Sequence, residues 1–146
     1  MRGGTLLSVY VDTSVLVAYY CPEPLSDRAE RFLTGHPQPG ISVLTELELF
    51  SAVSRKVREG AISKRDANRI IATFTSHKDN RLYNYLPIQA HHYTLARDWI
   101  ALFKLSLKSL DALHLAIASS ERLTIVSADR SLLRSAEALG VTTLFL

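Results

Sequence analysis

Hydrophobic positions fall into short continuous runs separated by amphipathic stretches, and the two kinds alternate along the chain. Near the start, "LSVYVDTSVLVAYY" is apolar on both sides of Asp12-Thr13-Ser14. Val9, Tyr10 and Val11 are β-branched or aromatic with no polar alternation, the pattern of a strand buried on both faces of a parallel sheet. Val15 to Tyr20 suits a short helix packed inward. In "CPEPLSDRAERFL" the pattern predicts a short helix with Ser26 as its cap, and the Pro- and Gly-rich "TGHPQPG" predicts a loop. "ISVL" reads as a brief strand, and "TELELFSAVSRKVREG" as a helix opened by Thr45 and closed by Gly60. "SKRDANRIIATFTSH" puts Ala67, Ile70, Ile71 and Phe74 on one helical stripe.

The second half continues the alternation. "RLYNYLPI" predicts a strand ended by Pro87, "QAHHYTLARDWIALF" and "SLDALHLAIASSER" two helices around the loop "KLSLK", and "LTIVSA" a buried strand. "DRSLLRSAEALG" follows as a helix with a glycine stop, and "VTTLFL" as a last strand. There are no repeats and no low-complexity tract. Strand and helix in turn predict an α/β fold, a parallel sheet between two helical layers with right-handed crossovers.

At 146 residues and 47% hydrophobic, the chain suits one domain over 1–146. A single cysteine, Cys21, excludes an internal disulfide framework, and the absence of a Cys/His cluster excludes zinc-site spacing, which fits a reducing cytoplasm. The apolar run in "MRGGTLLSVYVD" meets Asp12 before any small-residue cleavage site and so reads as the first strand, not a signal peptide; no run is long enough to span a membrane. The net charge of +3 is a modest excess. Its distribution is more informative: Arg55-Lys56 with Arg58, Lys64-Arg65 with Arg69, and Arg130 with Arg134 lie on helical stretches, and Lys104 with Lys108 bound the loop between two of them. Taken singly, each cluster is a solvated helix face.

Four acids change the picture. Asp12 and Asp129 each stand where a buried strand turns into a helix, the carboxyl edge at which open α/β sheets bind ligands, although each also suits an N-cap. Asp111 lies in "SLDALHLAIA", a helix apolar nearly all round, where an acid is costly without a partner; as a structural alternative it is a favourable charge in the first turn, with Ser109 as cap. Glu48 stands three residues after Thr45, the spacing of a capping box. Glu46 is the neighbouring candidate, but two residues along a helix it faces away from Glu48, so both cannot enter one site. Brought to one sheet edge, four carboxylates repel. Divalent cations relieve that repulsion, and hard oxygens without thiol or imidazole select Mg²⁺ or Mn²⁺. Such a site suits phosphodiester hydrolysis.

"VYVDTSVLVAYY", "ISVLTELELFSAVSRK", "LKSLDALHLAIA" and "IVSADRSLLRSAEALGV" resemble, in order and spacing, the acidic blocks of PIN-domain ribonucleases, and especially the VapC toxins of toxin–antitoxin pairs. The resemblance covers nearly the whole chain and is strongest in "DALHLAIA" and the "SAD" turn. It implies metal-binding acids at Asp12, Glu48, Asp111 and Asp129, with Ser14 and Ser127 as supporting polar groups. "ELFSAV" matches the family pattern at Glu48, whereas Glu46 replaces a usual apolar residue. The implied protein is a Mg²⁺- or Mn²⁺-dependent endoribonuclease and a toxin, dimeric, restrained by an antitoxin, with Arg55, Lys56 and Arg58 contacting RNA phosphates.

Two other readings use the same acids. A phospho-acceptor receiver domain needs a lysine after its last strand, and none follows "VTTLFL"; a phosphatase with Asp-x-Asp after its first strand is disfavoured by Thr13-Ser14. A PIN-like module that binds only protein partners would not need all four acids. His114, one turn after Asp111, reads as a helix neighbour with local hydrogen bonds. His91 and His92 read as solvated or packed, and Tyr19, Tyr20, Trp99 and Phe103 as core or dimer surface.

Overall fold

The computed structural model describes residues 8–146, and the earlier part of the N-terminal run lies outside them. The elements run β1 (Val9–Val11), α1 (Thr13–Tyr20), α2 (Ser26–Thr34), β2 (Gly40–Ser42), α3 (Val43–Arg58), α4 (Lys64–Asp79), β3 (Asn84–Leu86), α5 (Ala90–Ile100), α6 (Ser109–Ser120), β4 (Thr124–Ser127), α7 (Arg130–Ala138) and β5 (Thr143–Phe145). All pairings are parallel in a five-stranded sheet ordered β3-β2-β1-β4-β5. From β1 the chain winds outward through β2 to β3, then returns to the other flank of β1 as β4. The β1–β4 boundary is therefore a topological switch point, where an open α/β sheet leaves a crevice at its carboxyl edge.

Alternation along the short strands divides the core in two. Val9, Val11, Ile41 and Val126 face a cluster containing Leu16, Ala29, Leu49, Val53 and Phe74 from α1 to α4. Tyr10, Leu86 and Ile125 face the opposite cluster with Leu113, Leu115, Ile117, Leu132 and Leu133 from α6 and α7. These are the two helical layers read from the sequence. α6 is buried at every position from Ala112 to Ala118, with Ala112 and Ala116 packed against Ala96 of α5, which explains its lack of an amphipathic pattern. Gly40 allows β2 to approach β1: a Cβ there would stand 3.0 Å from the Val9 carbonyl oxygen and 3.3 Å from Leu123 Cδ1.

Several boundaries differ from the expectations. α3 starts at Val43, with Ser42 as cap: the Thr45 amide donates to Ser42 Oγ and the Ser42 amide to Thr45 Oγ1. Thr45 is thus the third residue of the helix, and Glu48 takes no part in a capping box. Ser109 is the first residue of α6, whose cap position is Lys108 without a side-chain bond. Ser26 likewise begins α2; its hydroxyl accepts from the Glu23 amide and donates to the Cys21 carbonyl. In the α4 stripe only Ala67 and Phe74 are buried. Among the described residues no helix is long and apolar enough to cross a membrane.

Candidate acidic site

Asp12 follows β1 directly and caps α1. Its Oδ1 accepts from the Ser14 amide at 3.1 Å and from Ser14 Oγ at 2.5 Å, and its Oδ2 accepts from Ser127 Oγ at 2.5 Å. Asp12 is only 6% exposed. Burial raises its affinity for a proton, and the Ser127 and Ser14 donors offset part of that rise. Both serines reach across the switch point, Ser127 by its bond to Asp12 and Ser14 by accepting from the Ala128 amide, and Ser127 Oγ also accepts from the Asp129 amide at 2.9 Å. Asp129 then caps α7, with Oδ1 accepting from the amides of Ser131 and Leu132. Both strand-end aspartates are caps, as their sequence context allowed. Capping occupies Oδ1 alone in Asp129, leaving Oδ2 without a hydrogen-bond partner among the described residues.

Glu48 enters from the second turn of α3. Its Oε1 accepts from Thr13 Oγ1 at 2.6 Å and from His114 Nε2 at 2.6 Å. Burial alone would raise this carboxyl, but the bond and charge of His114 and the Thr13 hydroxyl hold it below the ordinary glutamate range. Asp111, in the first turn of α6, has no hydrogen-bond or ion-pair partner among the described residues. Its carboxyl is pushed upward by burial first and then by the negative charges of Asp129 and Glu48, with His114 and Lys108 opposing. The four acids thus come from the ends of β1 and β4 and the early turns of α3 and α6, and all stand at the carboxyl edge of the sheet.

Glu46 points elsewhere. It accepts from Lys78 Nζ at 3.1 Å and from the Tyr85 hydroxyl at 2.6 Å, on the side of α3 that meets α4 and β3. The helical geometry that separates positions two apart accounts for this divergence.

His114 departs from its expected local role. It is 3% exposed, and besides Glu48 it meets the Tyr10 hydroxyl through Nδ1 at 2.7 Å. Tyr10 in turn contacts Ser42 Oγ at 2.8 Å and Thr45 Oγ1 at 3.2 Å. A tyrosine in an otherwise aliphatic buried strand signals that its hydroxyl has a partner, but the sequence does not say which. Thr13 and Tyr10 join the site only in three dimensions, since neither carries a charge that would mark it in the sequence.

A cleft of about 680 Å³ opens beside Glu48, lined by Thr13, Ser14, Ser51, Arg55 and Lys56 among others. Arg55 and Lys56 follow Glu48 two turns along α3. Arg58 is not part of this lining; its Nη1 donates to Ser54 Oγ on the exposed side. Elsewhere His92 is buried with Nδ1 accepting from the Gln89 amide, Tyr20 bonds Tyr83 and His77, and Trp99 packs at the α5–α6 contact. Phe103, 90% exposed, is no part of the core.

As the side chains stand, no group of three or more His, Cys, Asp or Glu among the described residues is arranged to hold a metal ion. The donor chemistry nevertheless fits a hard divalent cation: carboxylate oxygens flanked by hydroxyls, with Asp111 and one oxygen of Glu48 unpartnered among the described residues and no thiol beside them.

The chain belongs to the PIN domain family, whose pattern matches residues 9–138. Among curated proteins none matches significantly. Solved structures share the fold. VapC20 from Mycobacterium tuberculosis, described as a toxin that cleaves the sarcin-ricin loop, superposes with a TM-score of 0.71 at 17% identity, covering 95% of this chain and 100% of that one. FitAcB from Neisseria gonorrhoeae gives 0.68 at 19% identity, covering 94% and 96%. VapBC2 from Rickettsia felis, bound to a DNA fragment from its promoter, gives 0.69 at 16% identity, covering 96% and 99%.

Proposed function

We propose that the chain is a metal-dependent endoribonuclease and the toxin of a toxin–antitoxin pair, acting in the cytoplasm as a homodimer. The observation that carries this reading is the gathering of four carboxylates from separate elements at the switch point, with Asp111 left unpartnered beside the charges of Asp129 and Glu48. A protein with only a structural use for these groups would pair them or disperse them. The likeness to VapC20 and to the VapBC and FitAB assemblies supports an RNA substrate and an antitoxin partner.

In this mechanism Asp12, Glu48, Asp111 and Asp129 would hold Mg²⁺ or Mn²⁺, which when bound would supply positive charge for the leaving oxygen and for activation of water. Ser14 and Ser127 fix both oxygens of Asp12, Thr13 restrains Glu48, and Arg55 and Lys56 bind phosphates of the RNA strand in the adjoining cleft. The test is cleavage of RNA by purified protein with Mn²⁺ or with chelator, alongside Asp12→Asn and Asp129→Asn. Metal-dependent cutting lost in both variants is expected. A folded parent that never cuts RNA but captures its partner would make it a binding module instead.

A further inference from the structure

A buried polar chain reaches Glu48 through His114. This imidazole is buried between α3, α6 and β1, and both of its nitrogens are used. A carboxylate only accepts, so at 2.6 Å from Glu48 Oε1 the His114 Nε2 must carry a hydrogen. Nδ1 meets the Tyr10 hydroxyl at 2.7 Å, and that hydroxyl is seated against Ser42 Oγ and Thr45 Oγ1. Ser42 and Thr45 are themselves locked together as the capping pair of α3, the helix that carries Glu48. The chain therefore closes on itself: cap of α3, Tyr10, His114, then Glu48 one turn into the same helix. Every rotatable group between the backbone and Glu48 Oε1 is held by a neighbour.

We propose that His114 is a positioning residue for Glu48, holding Oε1 through Nε2–H while Tyr10 fixes the ring through Nδ1, so that Oε2 is free to serve the proposed cation. The proposal rests on the nuclease reading, because a fixed Oε1 and a free Oε2 matter to function where the carboxylate has a cation to bind. Thr13 shares the task, since its hydroxyl reaches the same Oε1. The arrangement resembles the outer-shell hydrogen bonds that orient metal ligands generally, with the carboxylate here as the ligand and the imidazole as its support.

The test is a calorimetric titration of the full chain with Mn²⁺ alone, comparing the parent with Asp12→Asn, His114→Leu, His114→Gln and Tyr10→Phe. Gln can offer an N–H near the place of Nε2, so it separates donation from packing. The parent should bind Mn²⁺, Asp12→Asn should not, and His114→Leu should weaken binding roughly tenfold or more while His114→Gln stays within about threefold of the parent. Tyr10→Phe should fall between, and combining it with His114→Leu should add nothing, as members of one chain are not additive. Imidazole ¹⁵N spectra, with His114 assigned by its loss in His114→Gln, should show hydrogen on Nε2. His114→Leu binding Mn²⁺ like the parent, His114→Gln failing as badly as His114→Leu, or a ring with hydrogen on Nδ1 only would each overturn the proposal. If His114→Leu does not fold, Tyr10→Phe carries the comparison, and parent-like Mn²⁺ binding by it overturns the proposal. A parent that binds no Mn²⁺ and cuts no RNA would remove the nuclease reading and the positioning role with it, whereas binding lost only in Asp12→Asn would remove the positioning role alone.

Discussion

Ser127 Oγ donates to Asp12 Oδ2 at 2.5 Å and accepts the Asp129 amide at 2.9 Å, so a single hydroxyl at the end of β4 joins the two strand-end aspartates. Ser14, in the first turn of α1, repeats the arrangement from the other side, donating to Asp12 Oδ1 and accepting the Ala128 amide. These reciprocal bonds hold the carboxyl ends of β1 and β4 in register while keeping a buried charge solvated by protein donors.

Removing that hydroxyl should therefore cost both stability and function. Ser127→Ala leaves Asp12 Oδ2 without its donor in a buried place, and hydrogen bonds to charged groups contribute about 1.5 to 3 kcal/mol. Burial already raises the Asp12 carboxyl, so losing a donor raises it further. The expected outcome is a melting temperature several degrees lower at pH 7 and cleavage reduced roughly 10- to 100-fold, as for other outer-shell changes. Thermal melts and RNA cleavage under matched conditions check it; an unchanged melt would mean that water takes the place of the hydroxyl.

The pair Glu46 and Glu48 separates structure from chemistry. Glu48→Gln removes a charge from the proposed metal site and should abolish cleavage with a small change in stability. Glu46→Gln breaks contacts with Lys78 and Tyr85, which are partly shielded, and should cost roughly 1 kcal/mol while cleavage persists. Cleavage lost with Glu46→Gln and kept with Glu48→Gln would reverse the two roles.

How far this site could be read in the sequence depends on what each residue needs. Asp12 and Asp129 are legible because each ends a buried aliphatic run with an acid, which places a carboxylate at the carboxyl edge of the sheet whether or not it also caps a helix. Asp111 is legible because it interrupts a helix apolar on every side. Glu48 could be told from Glu46 by helical spacing and family pattern. The cap of α3 lies three residues before the one expected because Ser42 and Thr45 are both good caps, and the choice between them is made by the Tyr10 hydroxyl seated on both, a long-range contact with no local trace. The role of His114 is hidden for the same reason: its partners Tyr10 and Glu48 are far away in sequence, and only the packing of α6 on β1 and α3 joins them. The two-layer core was legible throughout, since it follows from strand runs too short and too apolar to face water.

Repulsion among the acids should be measurable without metal. Asp111 is raised by burial and by the charges of Asp129 and Glu48. A carboxyl raised in the folded state binds its proton more tightly than in the unfolded chain, so its ionised form destabilises the fold above the folded value. As pH falls from neutrality through that value toward the unfolded value near 3.9, this penalty is relieved. Asp111→Asn should melt higher than the parent in chelator at pH 7, and the difference should shrink toward acid pH. Mn²⁺ should stabilise the parent by about 2.7 kcal/mol at a hundredfold excess over its dissociation constant and the variant much less. A variant that melts lower than the parent in chelator would assign Asp111 a structural partner.

The basic residues of α3 are predicted to divide by position. Arg55 and Lys56 line the cleft that contains Glu48, whereas Arg58 is turned to the exposed side and engages Ser54. Each phosphate neutralised on single-stranded RNA releases counterions and adds about 0.7 to the slope of log affinity against log salt. Replacing Arg55 and Lys56 together by Ala should therefore flatten that slope by about 1.4 and weaken binding most at low salt. Arg58→Ala should leave slope and affinity close to those of the parent, because a guanidinium outside the cleft and bonded to its own helix has no fixed phosphate to lose. Binding is measured with catalytically silent Asp12→Asn as the background, so that RNA survives the titration. If Arg58→Ala alone flattens the slope, RNA crosses the exposed flank of α3 and not the cleft beside Glu48.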